Sequence, residues 1–182
     1  MLEQEKPELV SDPPRSAHFI LRCTPADARS LLASLTTSPP LQVGECANAS
    51  EGFIYCIGPD EWQISAPLEN AATIASSLEN RAAAICYSLV EVSDARVAFE
   101  ILGPRADEIL NSGCPLDLSI EAFPAGRAVR TLFYSASVII HRVELQRFRM
   151  TTLRSFQPYV RELLCLATEE LEAEAALGCL VI

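Results

Sequence analysis

The chain has 182 residues, of which 49% are hydrophobic, so its composition predicts a globular protein with a buried core and excludes an intrinsically disordered chain. The formal net charge of -10 argues against a nucleic-acid-binding protein, because recognition of phosphates requires a basic surface. No apolar run of about 18 residues or more occurs, so the sequence predicts no membrane-spanning helix and no membrane partner.

Residues 1–17 are acidic and contain several prolines, and they lack the apolar segment of a secretory signal. We expect this segment to be a flexible N-terminal arm. Residues 18–182 are then predicted to form a single domain, and a division into two lobes is compatible with this length.

The first half begins with an apolar strand at residues 18–23, followed by a helix with Thr24 as the N-cap and Pro25 as its first residue. Residues 36–50 are predicted to be mostly loop. Gly58 lies in a turn between two strands, and Trp62, the only tryptophan, is expected to pack in the core.

A helix is expected after Pro67, and residues 83–92 are predicted to form a long strand. The predicted buried face of this helix consists of Leu68, Ala71, Ala72, Ala75 and Leu78.

The clearest pattern lies between residues 90 and 118. Val97, Phe99 and Ile101 alternate with less apolar residues, which predicts a half-buried strand. Gly103 gives the backbone freedom, and Pro104 suits the first position of a short helix. We expect a left-handed Gly113 to end that helix. The residues interpreted as structural parts of turns and core are Gly58, Trp62, Gly103, Pro104, Gly113 and Pro115.

The last third is predicted to contain a hairpin at residues 126–143, a strand at 147–154 and a helix capped by Ser155. The apolar face of that helix is expected to consist of Phe156, Tyr159, Val160, Leu163, Leu164 and Ala167. A hairpin followed by a helix also occurs near residues 53–78, which is a weak internal repeat. We predict an α+β fold with antiparallel sheets, helices packed on one face and ferredoxin-like split βαβ units.

No pattern indicates a self-contained catalytic, cofactor or metal site. The seven cysteines include no C-x-x-C pair, and neither His18 nor His141 is clustered with other metal ligands. We therefore expect a cytoplasmic protein with reduced cysteines and no bound metal. A nucleophile–base pair such as Cys114 with His141 stays open as an alternative. Because no glycine-rich dinucleotide fingerprint occurs, we predict that the isolated chain has neither a flavin nor oxidase activity.

Several short motifs together carry a family resemblance. They are GPDEW at residues 58–62, VEVSDAR at 90–96, LGPRADEIL at 102–110, GCPLDL at 113–118 and FPAGR at 123–127. In combination they resemble the gamma subunit of bacterial heterotetrameric sarcosine oxidase, over nearly the whole chain after about residue 17. That subunit is related to the folate-binding fold of aminomethyltransferase, the T-protein of the glycine cleavage system, so the resemblance implies an aminomethyltransferase-like fold.

The resemblance implies a structural subunit without catalytic residues. Its expected partners are the alpha, beta and delta subunits, which are implied to hold FAD, FMN, NAD, zinc and tetrahydrofolate. The implied complex demethylates sarcosine oxidatively to glycine and transfers the one-carbon unit to tetrahydrofolate. A stand-alone folate-binding or one-carbon-binding protein of the same fold stays open as an alternative, and so does a homodimerising domain.

Arginine is concentrated late in the chain, where residues 127–161 contain seven of the thirteen. Arg147 and Arg149 are two apart in a predicted strand, so their side chains leave the same face, opposite Phe148 and Met150. We predict that these two arginines and Arg127 contact carboxylates of a partner subunit. The alternative is an intramolecular network with the chain's own 24 acidic residues.

Overall fold

The computed structural model describes residues 15–49, 52–82 and 85–178. Their helices and strands are β1 (Ser16–Arg22), α1 (Pro25–Leu32), β2 (Cys46–Ala49), β3 (Gly52–Gly58), β4 (Glu61–Pro67), α2 (Ala71–Glu79), β5 (Ser88–Glu91), β6 (Arg96–Leu102), α3 (Ala106–Asn111), β7 (Ala128–Phe133), β8 (Ala136–Glu144), β9 (Arg147–Leu153) and α4 (Gln157–Gly178).

The strands form two antiparallel sheets. The first sheet has the order β2-β3-β4-β1-β5, and the second sheet has the order β6-β9-β8-β7. Apart from the short β2 after α1, the first sheet and its helices follow the order β1-α1-β3-β4-α2-β5, which is a split βαβ unit. The predicted α+β class with antiparallel sheets is therefore confirmed.

The two halves of the chain repeat one arrangement. The succession β1-α1-β2-β3-β4-α2 corresponds to β6-α3-β7-β8-β9-α4, and matching strands occupy matching places in the two sheets. Among the described residues, β5 has no counterpart in the second half. The internal repeat detected in the sequence thus extends over the whole fold.

Each sheet is covered by helices on its outer face. Phe19, Trp62 and Ile64 of the first sheet pack against Leu31 of α1 and Leu78 of α2. The second sheet packs in the same way against α3 and α4, and the inner faces of the two sheets meet around Tyr55, Ile57, Ala128 and Ile139. The resulting order of layers, helices–sheet–sheet–helices, brings the inner faces of the strands together.

Several predicted boundaries differ from the structure. Residues 1–14 of the predicted arm lie outside the described residues, whereas Ser16 and Ala17 already pair with β4 in β1. The predicted loop at 36–50 contains β2, a short strand of small residues that has no alternation of large hydrophobic side chains to reveal it. The long strand expected at 83–92 is reduced to β5; residues 83 and 84 are not among those described.

Two helices also differ from their predicted form. In α2 the buried residues are Ile74 and Leu78, which are four apart and therefore share a face, while Ala72 is exposed. A 3₁₀ turn at Arg154–Phe156 precedes α4, so Ser155 lies in that turn and does not cap the helix. Tyr159 is partly exposed, unlike Val160 and Leu164, which are buried as predicted.

The turn residues are placed as follows. Gly58 ends β3 beside a register shift, and Trp62 is fully buried and donates from Nε1 to the carbonyl of Pro40 at 2.7 Å. Gly103 has a φ of +117°, as expected of a residue that needs backbone freedom. Pro104 lies in the turn before α3 and not at its first position, since α3 begins at Ala106. Pro115 is exposed in the loop that follows.

The predicted left-handed conformation of Gly113 is wrong, because its φ does not lie in the positive range. Glycine is required there by a close approach. A Cβ atom at this position would overlap the ring of Tyr134 and lie 2.8 Å from Cε2 of Phe133. The left-handed residue of this corner is Tyr134 itself, with a φ of +49° in the turn between β7 and β8.

Candidate functional site

A layer of polar side chains lies between the two sheets. Side chains alternate between the two faces of a strand. Every second residue therefore packs against the helices, and the residues between them point towards the other sheet. His18, Gln63 and Ser65 come from the first sheet and His141 and Thr151 from the second, and all are at most 3% exposed. This inner layer contains most of the polar side chains that are buried among the described residues.

Glu100 is the carboxylate of the layer, and two arginines share it. Arg147 Nη2 lies 2.9 Å from Glu100 Oε2, and Arg149 Nη1 lies 3.5 Å from Oε1. Arg149 also donates to the Ser16 hydroxyl at 3.1 Å, and its side chain is 11% exposed, against 38% for Arg147. Arg147 also lies 3.8 Å from the more exposed carboxylate of Glu144, so Glu100 and Glu144 together balance the two guanidinium groups.

These contacts bear on the predicted partner interface. Arg147 and Arg149 do leave one face of β9, with Phe148 and Met150 buried on the other, but that face is turned towards the first sheet. Their pairing with Glu100 favours the intramolecular alternative. A role for either residue in contact with a partner stays a prediction.

Arg127 is exposed at the corner where the two sheets are joined. Its backbone forms an isolated antiparallel β-bridge with Glu45, and the amide of Ala128 donates to the carbonyl of Gly44 at 3.2 Å. Backbone amides of Gln42 and Leu41 hold the pKa of Glu45 below its ordinary value, and Arg127 adds to that shift. A cavity of about 220 Å³ beside these residues is also lined by Cys46 and Gly126.

Cys46, His141 and Tyr55 form a hydrogen-bonded chain across the sheets. Cys46 Sγ lies 3.2 Å from His141 Nε2 and 2.9 Å from the carbonyl oxygen of Gly126, and Tyr55 Oη lies 3.4 Å from His141 Nδ1. One proton arrangement satisfies all three contacts: Tyr55 donates to Nδ1, Nε2 donates to Sγ, and the thiol donates to Gly126.

The electrostatics of this chain oppose nucleophilic catalysis. Burial raises the pKa of the Cys46 thiol to about 11. Burial, together with Arg149 and Arg147, lowers the pKa of His141 to about 4. At neutral pH the pair is therefore thiol and neutral imidazole, whereas a reactive cysteine requires the thiolate. The arrangement links the sheets and is poorly suited to attack a substrate.

The alternative pair of Cys114 and His141 is wrong. Cys114 is buried in the core between the second sheet and its helices, whereas His141 faces the first sheet and contacts Cys46. Cys46 and His141 are 95 positions apart, so spacing along the sequence gave no signal of their contact.

Besides Arg149, the fold buries the guanidinium group of Arg142, which the sequence analysis did not single out. Arg142 is 1% exposed on the helix-covered face of β8, where it stacks 4.3 Å from the ring centroid of Phe148. It donates to the carbonyls of Leu118 and Leu145 and lies 3.7 Å from Asp107. Arg142 thereby anchors the loop that carries the GCPLDL motif to the sheet.

No group of three or more histidine, cysteine, aspartate or glutamate residues is placed to hold a metal ion within residues 15–49, 52–82 and 85–178. Cysteines 23, 46, 56, 86, 114 and 165 are free, and Cys179 lies outside the described residues. In the same part of the chain, none of the helices has the length and hydrophobicity needed to cross a bilayer.

Comparison with known proteins gives consistent results. The family model described as "Sarcosine oxidase, gamma subunit family" matches residues 22–170. The gamma subunit of sarcosine oxidase from Arthrobacter sp. is 34% identical over 125 residues, which are 67% of this chain and 61% of that protein.

Among solved structures, a chain of heterotetrameric sarcosine oxidase from Corynebacterium sp. U-96 matches with a TM-score of 0.83 and 26% identity. The match covers 93% of this chain and 87% of that chain. Aminomethyltransferase T of the glycine cleavage system from Bartonella henselae matches with a TM-score of 0.69 and 15% identity, over 88% of this chain and 46% of that chain. This second similarity shows the shared fold alone.

Proposed function

Because the chain belongs to the sarcosine oxidase gamma subunit family, we propose that it is a non-catalytic structural subunit of a heterotetrameric sarcosine oxidase. The observation that carries the proposal is the match to a chain of such an enzyme over 93% of this chain and 87% of that one. A domain that is similar over nearly its whole length is expected to assemble in a similar way.

The inner layer supports the non-catalytic part of the proposal. Its thiol and imidazole groups are held neutral, and its carboxylate is engaged by two arginines. Cys46 and His141 provide two metal donors, whereas structural zinc takes four ligands. At the turn from β1 to α1, Thr24 and Pro25 occupy the helix N-terminus, where a dinucleotide site has glycines.

We therefore assign the redox and one-carbon chemistry to the partners. In the proposed complex, the alpha, beta and delta subunits hold FAD, FMN, NAD, zinc and tetrahydrofolate and demethylate sarcosine in the cytoplasm. The present chain contributes surface and stability to that assembly.

Of the three arginines predicted at the interface, we assign contact with a partner to Arg127 and to the exposed side of Arg147. Arg149 is more buried and pairs with Glu100, the same carboxylate that Arg147 contacts. The variant R127Q is expected to lower recovery of the assembled complex at a nearly unchanged melting temperature, because Arg127 is exposed and the substitution adds no like charge beside Glu45. R149E is expected to lower the melting temperature of the chain itself, because it places a second carboxylate beside Glu100.

The proposal is tested by expressing the three larger subunits with and without this chain. We expect the assembled, flavin-containing oxidase to be recovered in good yield only when the chain is present, and the chain purified alone to show no flavin absorbance. Equal yield and activity without the chain would contradict a structural role. A flavin band that stays with the isolated chain through gel filtration would contradict the assignment of cofactors to the partners.

A further inference from the structure

At one end, the inner face of the second sheet extends beyond the cover of the first sheet. Arg130, Ile139, Thr151 and Ala98 form one row across the four strands, and the last three are at most 3% exposed. Two residues further along, the next row consists of Leu132, Ser137, Leu153 and Arg96. In this row Leu132 is 48% and Leu153 is 36% exposed, and Ser137 is exposed too. We call Leu132, Ser137 and Leu153 the ledge.

Arginines border the ledge. Glu61, at the end of the first sheet, is contacted by Arg22 Nη2 at 2.7 Å and by Arg130 Nη1 at 3.6 Å. Arg96 continues the ledge row on β6, close enough to Arg130 and Glu61 for both to act on it electrostatically. Arg154 follows Leu153 and donates to the carbonyl of Arg96 at 3.1 Å.

Among the described residues, the ion pairs at this end leave Arg96 and Arg154 without a carboxylate partner. Glu61 serves both Arg22 and Arg130, and the carboxylate of Asp94 is paired with Arg15 at 2.8 Å. In a chain with a net charge of -10, a local excess of positive charge beside two exposed leucines is unusual. A surface with an apolar centre and a rim of arginines has the anatomy of a protein–protein contact.

The geometry of the ledge favours an extended occupant. Leu132 and Leu153 lie on strands separated by β8, so their backbones are about 10 Å apart. β7 is an outer strand of the second sheet, and Arg130 and Leu132 are both exposed along it. An extended segment that crosses this edge can lie over Leu132 and Leu153 on the same face of the sheet.

We propose that the ledge binds an extended segment of a partner subunit that carries an apolar side chain flanked by carboxylates. The apolar side chain packs on Leu132 and Leu153, and the carboxylates pair with Arg22, Arg96 and Arg130. This inference rests on the proposed function, since it names a surface through which the chain joins the complex.

The test is a competition for incorporation. Wild-type and variant chains with distinguishable masses are co-expressed with the larger subunits, and the ratio of the two chains is measured by mass spectrometry in the lysate and in the purified complex. We expect the variant L132S/L153S to be depleted at least about tenfold in the complex, as for loss of one or two interface hot spots. The control L166S removes a leucine of equal exposure from α4, and it should be incorporated as well as wild type.

A charge variant tests the rim. R22Q/R130Q is expected to be depleted severalfold at low salt and less at high salt, because screening weakens charge pairing. R29Q, which neutralises an exposed arginine of α1, is the control and should show no depletion. Melting temperatures of the isolated variants establish that each of them folds.

The outcomes separate this inference from the proposed function. Absence of the wild-type chain from the complex overturns the proposed function. Incorporation of wild type and L132S/L153S in equal amounts overturns the ledge alone. A dimeric isolated chain that becomes monomeric in L132S/L153S would assign the ledge to a second copy. A depletion that vanishes when residues 1–14 are deleted would assign the ledge to the chain's own N-terminal segment. Either of these last results overturns the proposal.

Discussion

At the scale of single residues, the close approach of Tyr134 to Gly113 explains why glycine is needed in the GCPLDL motif. The motif was correctly interpreted as a turn, but the predicted left-handed backbone of Gly113 was the wrong reason. GCPLDL does mark a corner of the fold, but Gly113 leaves space for an aromatic ring and Tyr134 adopts the left-handed backbone. Positive φ in a bulky residue is strained, and it is maintained here by the packing of the ring over Gly113.

The variant G113A is therefore expected to lower the free energy of unfolding by about 2 kcal/mol, within the usual range for overpacking. The control is G126A, where φ is +83° but no atom lies within 4 Å of the added Cβ, so backbone strain of about 1 kcal/mol is the expected cost. In a Y134G background the cost of G113A should become smaller, since the overlapping ring is absent. Urea unfolding of the four variants checks this, and a G113A chain as stable as wild type would refute the crowding.

The two histidines predict how stability depends on pH. Burial is the main cause that lowers the pKa of His18 to about 3 and of His141 to about 4. In the unfolded chain an ordinary histidine has a pKa of about 6.5, so below that pH the unfolded state binds protons that the folded state excludes. The contribution of the neutral histidines to the free energy of unfolding is therefore complete above pH 6.5, and it is lost as the pH falls towards 4.

Between pH 7 and pH 5 we expect a loss of roughly 2 kcal/mol for each histidine, measured by urea unfolding at fixed ionic strength. His18 and His141 are the only histidines of the chain, so the variant H141Q should remove about half of this dependence. A stability that stays constant from pH 7 to pH 5 would show that the histidines are accessible or paired.

At the scale of single elements, the sequence predicted those features that depend on residues close together in the chain. Thr24 caps α1, since its Oγ1 accepts from the amide of Asp27 at 3.2 Å, and Pro25 follows it as predicted. The alternation in β6 and the separation of Phe148 and Met150 from the arginines of β9 were equally predictable.

The cap gives a direct test of this element. T24A should lower the free energy of unfolding by about 1 kcal/mol, because an orphan amide at the helix start loses its partner. S30A, at an exposed position inside the same helix, is the control and should be neutral or slightly stabilising, since alanine has the higher helix propensity. Equal stability of T24A and wild type would show that the Thr24 cap does not stabilise α1.

Other elements could not be predicted, because their positions depend on partners distant in the chain. β2 has a weak pattern of its own and is fixed by pairing with β3 and by the bridge from Glu45 to Arg127. The contact between Cys46 and His141 depends on how two sheets face each other, which no spacing along one strand reveals. The same holds for Arg149, since the sequence shows its face but not what covers that face.

At the scale of the whole molecule, the repeat of the two halves accounts for the inner layer. Two similar units place the inner faces of their sheets together, and these faces carry arginine, glutamate and histidine groups beside an apolar cluster. Such a layer can specify how the sheets meet, and the proposed contacts with other subunits are made by the outer surface and the ledge.

In the proposed assembly, this chain is built into a larger enzyme and holds no cofactor itself. The most direct measurement is native mass spectrometry of the complex purified through a tag on this chain after co-expression with the alpha, beta and delta subunits. We expect a heterotetramer with one copy of each subunit. Gas-phase dissociation should release the chain at its sequence mass, with flavin retained by the remaining subunits. A chain recovered alone, or one released with a bound flavin, would contradict it.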